Sequence, residues 1–163
     1  MASDFWRNLA SGDADMDLIT ASIITLAIGL IAYTFLQGPA MQNPPSDLVT
    51  FAQNAGFTGS DAQTAAAIAI AESGGNAQAL GDYMLNGQIV ADKTPGSIPT
   101  SIGLWQIHYT VHPEFDQNML TDPQYNANAA YSLYSRKGDF TDWTAYNTGK
   151  YLQYLDSNGM VLA

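Results

Sequence analysis

The chain has no cysteine among its 163 residues, five lysines and arginines against fifteen acidic residues, and, of those fifteen, only two glutamates. The first absence excludes disulfides and thiolate metal sites and leaves the redox compartment open. The scarcity of positive charge, at a formal net -10, excludes nucleic acid as a partner, because phosphate binding relies on lysine and arginine to displace counterions. Charge of either sign is missing altogether between Asp17 and Asp47. Within that gap residues 18–36, LITASIITLAIGLIAYTFL, would reach about 28 Å as a helix against a hydrocarbon core of roughly 30 Å. This predicts a transmembrane helix and a lipid membrane as partner. The flank ahead of it, SGDADMD, is acidic where a cleaved signal peptide is basic, so the segment is expected to stay as the anchor of a single-pass membrane protein. Arg7 is the lone basic residue near either end and points the N terminus inward, the C-terminal domain outward.

The expected organisation is an acidic segment over 1–17, the transmembrane helix over 18–36, a linker stiffened by Pro44 and Pro45 over 37–45, and a folded domain over 46–163. In the domain, Ser46 is placed to cap a helix through about Ala55, with Gly56 as its stop, and Ser60 with Gln63 forms a capping-box pattern for a second. Asn86-Gly87 inside DYMLNGQIVA is a hairpin signal for a small two-stranded lobe. Asp122-Pro123 opens a third helix and Gly138 closes it, and a last helix is expected from about Gly149 to Asp156. The fold class is therefore mainly α with a small β lobe.

The second helix ends in AIAIAESGG, which puts one of the two glutamates, Glu72, two residues before the first glycine of a Gly-Gly stop. Ile68 and Ala69 lie on the face below it, and the negative end of the helix dipole lies beside it. Both are expected to favour the uncharged carboxylic acid, the form that can hand a proton to a glycosidic oxygen. A helix-end glutamate is also a common solvated surface residue, so the motif alone does not assign chemistry.

Two later blocks add to it. SIGLWQIH at 101–108 carries Gly103-Leu104-Trp105-Gln106, and TAYNTGKY at 144–151 carries Ala145-Tyr146-Asn147. With Glu72-Ser73, in this order, the chain resembles the lysozyme-like lytic transglycosylases, the soluble lytic transglycosylase superfamily that also embraces goose-type lysozyme. The resemblance covers about Ser46 to Leu155. It implies a lysozyme-like domain that cleaves the β-1,4 bond between N-acetylmuramic acid and N-acetylglucosamine in peptidoglycan glycan strands. By the same resemblance Glu72 is the catalytic acid and then the base that closes a 1,6-anhydro ring. Ser73, Gly103, Leu104, Gln106, Tyr146 and Asn147 fall at substrate-binding positions. Trp105 stands where methionine is commoner in the family, either as sugar platform or as core. Asp82, Asp92, Glu114 and Asp116 are conceivable second carboxylates, each more simply a loop or cap residue.

His108, His112 and Glu114 raise a metal reading, which Pro113 weakens by breaking any continuous helix through them; no metal and no cofactor are expected. A short anchored enzyme suits local wall opening by a bacteriophage during genome delivery, in a virion membrane, or by an envelope machine in a bacterial inner membrane, with other virion or envelope proteins as further partners. The alternatives are a hydrolytic lysozyme (muramidase) on the same fold and a non-catalytic membrane scaffold.

Overall fold

A proline opens the first helix: in the computed structural model, which describes residues 43–90 and 93–162, α1 runs Pro45–Ala55 with Pro44 at its N-cap and Pro45 in its first turn. Ser46 lies inside the helix and caps nothing, because proline's fixed φ and missing N–H already suit this position. Gly56 stops α1 with a φ of 122°. The second helix, α2, Gly59–Ser73, starts after Thr58 without a side-chain cap. Gln63 does not complete a capping box; its Oε1 accepts from the Val161 N–H at 3.0 Å and ties the chain's end to α2.

Alanine decides where α2 goes. Ala62, Ala65, Ala66, Ala67, Ala69 and Ala71 are buried together with Ile68, so this helix is covered on most sides. α1 packs against it from one side; a short α4, Thr144–Asn147, and a 3-10 helix, Lys150–Tyr154, pack from another. The methyl side chains let these neighbours approach closely. Glu72 is thus the end of the most enclosed helix of the domain.

The third helix, α3, Pro123–Lys137, follows its sequence signals closely. Asp122 accepts from Tyr125 N–H at 2.7 Å, Pro123 occupies the first turn, and Gly138 closes the helix in the left-handed region. Its Tyr134 donates a 2.7 Å hydrogen bond to Asp61 of α2, and that carboxylate pushes the phenol up to about 12. Below the ordinary tyrosine value, about 10, both folded and unfolded chains are neutral and the bond contributes fully. Between there and about 12 the unfolded chain ionises first, so the contribution fades as pH rises. Tyr134→Phe is expected to cost about 1 kcal/mol at pH 7, and the gap between the parent and this variant should close in urea unfolding curves taken above pH 10.

The β lobe is larger than the expected hairpin. β1, Leu80–Leu85, and β2, Gln88–Val90, pair around Asn86 and Gly87, both at positive φ as a two-residue primed turn requires. β3, Ile98–Ile102, pairs with the other edge of β1, and β4, Ile107–His108, pairs with β3, giving the order β2-β1-β3-β4. The SIGLWQIH block is therefore a strand, a tight turn and a strand. The helix expected from about Gly149 to Asp156 is a 3-10 helix, Lys150–Tyr154, that starts after Gly149 at φ 73°, and the short α4 ahead of it was not expected.

No helix among the described residues is long and apolar enough to cross a membrane. The longest, α2 and α3, have 15 residues each, about 22 Å in length. Residues 18–36 lie outside the described residues, and the transmembrane helix expected there is given no support. The fold is corrected to mainly α with a small β lobe and no membrane-spanning helix shown before it. The lipid-membrane partner, the single-pass topology and the virion or inner-membrane location are withdrawn with the anchor, as is the bacteriophage setting that was read from it.

Candidate active site

Glu72 leaves the end of α2 and enters a cleft whose walls include Asp82, Ser101, Gln106, His108, His112 and Trp143. Its Oε1 accepts from the Ala145 N–H at 2.9 Å. Ala145 lies in the first turn of α4, where backbone N–H groups lack intrahelical partners, so the carboxylate and the helix start satisfy each other. The helix end beneath Glu72 is also tended. Lys150 Nζ donates to Ala71 O at 3.0 Å, Gly74 N–H to Ile70 O at 2.8 Å, and Ser73 Oγ to Ala69 O at 2.8 Å. A cation therefore faces the negative end of the dipole, a contact the sequence reading did not foresee.

Gln106 lines the same cleft. Its backbone has a φ of 47°, and its Nε2 donates to both Ala79 O and Gly103 O, at 3.2 and 2.9 Å. With both amide hydrogens engaged, the pair of carbonyls fixes which end is nitrogen and leaves Oε1 as an acceptor. A side chain at Gly81 would collide with that oxygen. Beneath it, Gly103 has a φ of 84°, and any Cβ there would strike Leu120 O and the Asn126 amide.

Asp82 holds a second carboxylate at the same cleft. It is an exposed residue at φ 46°, a region that aspartate enters at modest cost. Two buried hydroxyls hold it there: Thr100 Oγ1 donates to its carbonyl and Ser101 Oγ to its Oδ2, the latter at 2.5 Å. Because Thr100 has given its hydrogen away, it accepts from His108 Nε2 at 3.2 Å, while Thr110 Oγ1 meets Nδ1 at 3.0 Å. His108 is thus engaged at both nitrogens. His112 Nδ1 is 3.7 Å from Glu114, whose carboxyl is held below the usual range by its own backbone and by Arg136. Among the described residues, no group of three or more His, Cys, Asp and Glu side chains could hold a metal ion.

Of the residues singled out in sequence, the fold brings Glu72, Asp82, Gln106, His108 and His112 to the cleft directly, and Asp92 lies outside the described residues. Leu104 is fully buried behind it, and Ser73 is bonded back into α2. Tyr146 stacks on Tyr151 with ring centroids 5.2 Å apart and touches Phe140. Asn147 Nδ2 donates to Thr141 O at 2.9 Å and so braces the loop that leads into α4. Trp105 is core: 1% exposed, with Nε1 bonded to Ala65 O at 2.9 Å. Trp143 Nε1 donates in turn to Trp105 O. Asp142, also at the cleft, is ion-paired with Lys137, which it pushes above the usual lysine range.

Asn126, Trp143 and Lys150 were not legible as site residues. For Asn126 there was a signal, a polar residue in line with Ala129, Ala130 and Leu133 on the buried stripe of α3. No curated protein and no solved structure matches the chain. A family model described as a lysozyme-like domain matches residues 49–145, a span that encloses Glu72 and the Gly103–Gln106 turn and ends at Ala145. That span is more than half of the 163 residues, and the chain belongs to this lysozyme-like domain family.

Proposed function

We propose that the domain is a lytic transglycosylase that cuts peptidoglycan glycan strands between N-acetylmuramic acid and N-acetylglucosamine, opening the wall locally. The observation that carries this reading is the placement of Glu72. It is a half-buried carboxyl group at the mouth of a cleft, with one oxygen held by Ala145 N–H and the other without a hydrogen-bond partner among the described residues. As the acid, Glu72 gives its proton to the glycosidic oxygen while the bond from that oxygen to C1 breaks. The carboxylate then takes the proton of the muramic 6-hydroxyl, whose oxygen bonds to C1 and closes the anhydro ring. Gln106 supports this by offering Oε1 to a sugar hydroxyl or acetamido N–H. Gly103 and Leu104 act on the substrate through the shape they give the turn, Tyr146 and Asn147 through the α4 loop, and Ser73 through the end of α2.

A specific observation favours a second reading. Asp82, held by Thr100 and Ser101, could take a proton from water that attacks C1, with Glu72 as the acid, which is hydrolysis with two carboxylates. Mass analysis of digested peptidoglycan separates the two. Transglycosylation leaves anhydromuramoyl ends that borohydride does not reduce, and Asp82→Asn then keeps the same products at a comparable rate. Exclusively reducing ends, with a loss of about a hundredfold in Asp82→Asn, would overturn the transglycosylase reading in favour of the muramidase.

A further inference from the structure

We propose that Lys150 is a positioning residue for Glu72, one half of a two-point clamp by which the segment 144–150 grips the end of α2. The inference rests on the reading of Glu72 as the acid. Two successive residues of α2 are held from this one segment: Glu72 by Ala145 N–H at 2.9 Å and Ala71 by Lys150 Nζ at 3.0 Å. Gly149, at φ 73°, makes the turn that brings the lysine back over the helix end. The carbonyl it meets belongs to the last turn of α2, where intrahelical donors have run out.

The choice of partner is informative in so acidic a domain. Arg136 pairs with Glu114 and Lys137 with Asp142, the ordinary use of a cation here, whereas Lys150 is bonded to a backbone carbonyl one residue from Glu72. Bonded to Ala71 O, it fixes the distance between the 3-10 helix and α2, and with it the height at which α4 presents the Ala145 N–H. Without that strut the amide and the carboxyl can drift apart, and a misplacement of about 1 Å at a reacting group can slow a reaction up to a hundredfold.

The full chain, with Lys150→Met, Lys150→Arg and Glu72→Gln beside the parent, tests this on soluble glycan strands. Lys150→Met is expected to lower kcat about tenfold with KM held within about twofold, and Lys150→Arg to recover most of the loss. Amide exchange at Ala145 should quicken in Lys150→Met while that at Leu133, within α3, stays as in the parent. Unchanged kcat per folded molecule with unchanged Ala145 exchange would overturn the clamp and leave Lys150 as a helix cap alone. If the parent itself fails to cut glycan, the functional reading falls, and Ala145 exchange by itself decides whether the clamp exists.

Discussion

Glu72→Gln is expected to slow glycan cleavage on the order of a thousandfold, the usual scale for loss of a general acid, while the domain keeps its fold. The substitution keeps the carbonyl oxygen that accepts from Ala145 N–H, so α4 retains its anchor. It removes the single capacity that the chemistry needs, a proton that can leave for the glycosidic oxygen. Glu72 is the end of a helix already packed by alanines from Ala62 to Ala71, so little of the core depends on its side chain. Thermal unfolding should therefore move by only a few degrees while muropeptide release is nearly lost. A variant that clears cell walls at the parental rate would remove Glu72 from the acid role altogether. Glu72→Asp makes a second test: its shorter side chain draws back from Ala145, so it should lose much of the rate despite keeping a carboxyl group.

Local signals carried the parts of this fold that local physics determines. Asp122, Pro123 and Gly138 bound α3 where their capping and φ preferences say they should, and Asn86-Gly87 makes its hairpin. What stayed hidden depends on residues far apart in the chain. Ser46 and Ser60 carry cap signals, but Pro44 and Thr58 hold those places: at the first a proline's fixed φ competes well with a hydroxyl, and at the second no side chain caps the helix. Ser101 to His108 read as a motif with no visible geometry. Its form as two strands needs β1, whose pairing with Ile98–Ile102 no local pattern declares. Asp82 looked like a loop aspartate because the hydroxyls that aim it, Thr100 and Ser101, arrive from the neighbouring strand. Glu72 could be singled out because its helix end is local, but its partner Ala145 lies 73 residues away. The apolar stretch at 18–36 shows the reverse hazard, a strong local pattern that the described fold does not support.

Asn126→Ala is expected to be the most damaging single truncation in the domain, at about 3–5 kcal/mol. Asn126 is fully buried, and its amide makes three bonds, all to backbone: Nδ2 to Ile102 O and to Leu120 O, each at 2.9 Å, and Oδ1 from Trp105 N–H at 2.8 Å. Ile102 O leads into the Gly103–Gln106 turn, Trp105 N–H lies within it and Leu120 O packs against Gly103, so the one amide ties the turn to the chain on either side. Gly103 exists to let the amide in, since any side chain there would meet it. Alanine would leave Leu120 O and the Trp105 N–H buried without these partners, each worth about 1–3 kcal/mol, and would take one of two bonds from Ile102 O, which also pairs with Ile107 across the sheet, with some relief from water entering the gap. Asn126→Asp separates shape from hydrogen bonding: it keeps the acceptor for Trp105 N–H but faces two carbonyls with oxygens, so it should destabilise about as much as alanine despite its size. Urea unfolding at pH 7 measures both. A loss below about 1 kcal/mol in each would mean that the turn is held by Trp105 and its bonds to Ala65 and Trp143 instead. Because Gln106 rides on the same turn, a surviving Asn126→Ala protein should also bind glycan more weakly, with KM rising ahead of any fall in kcat.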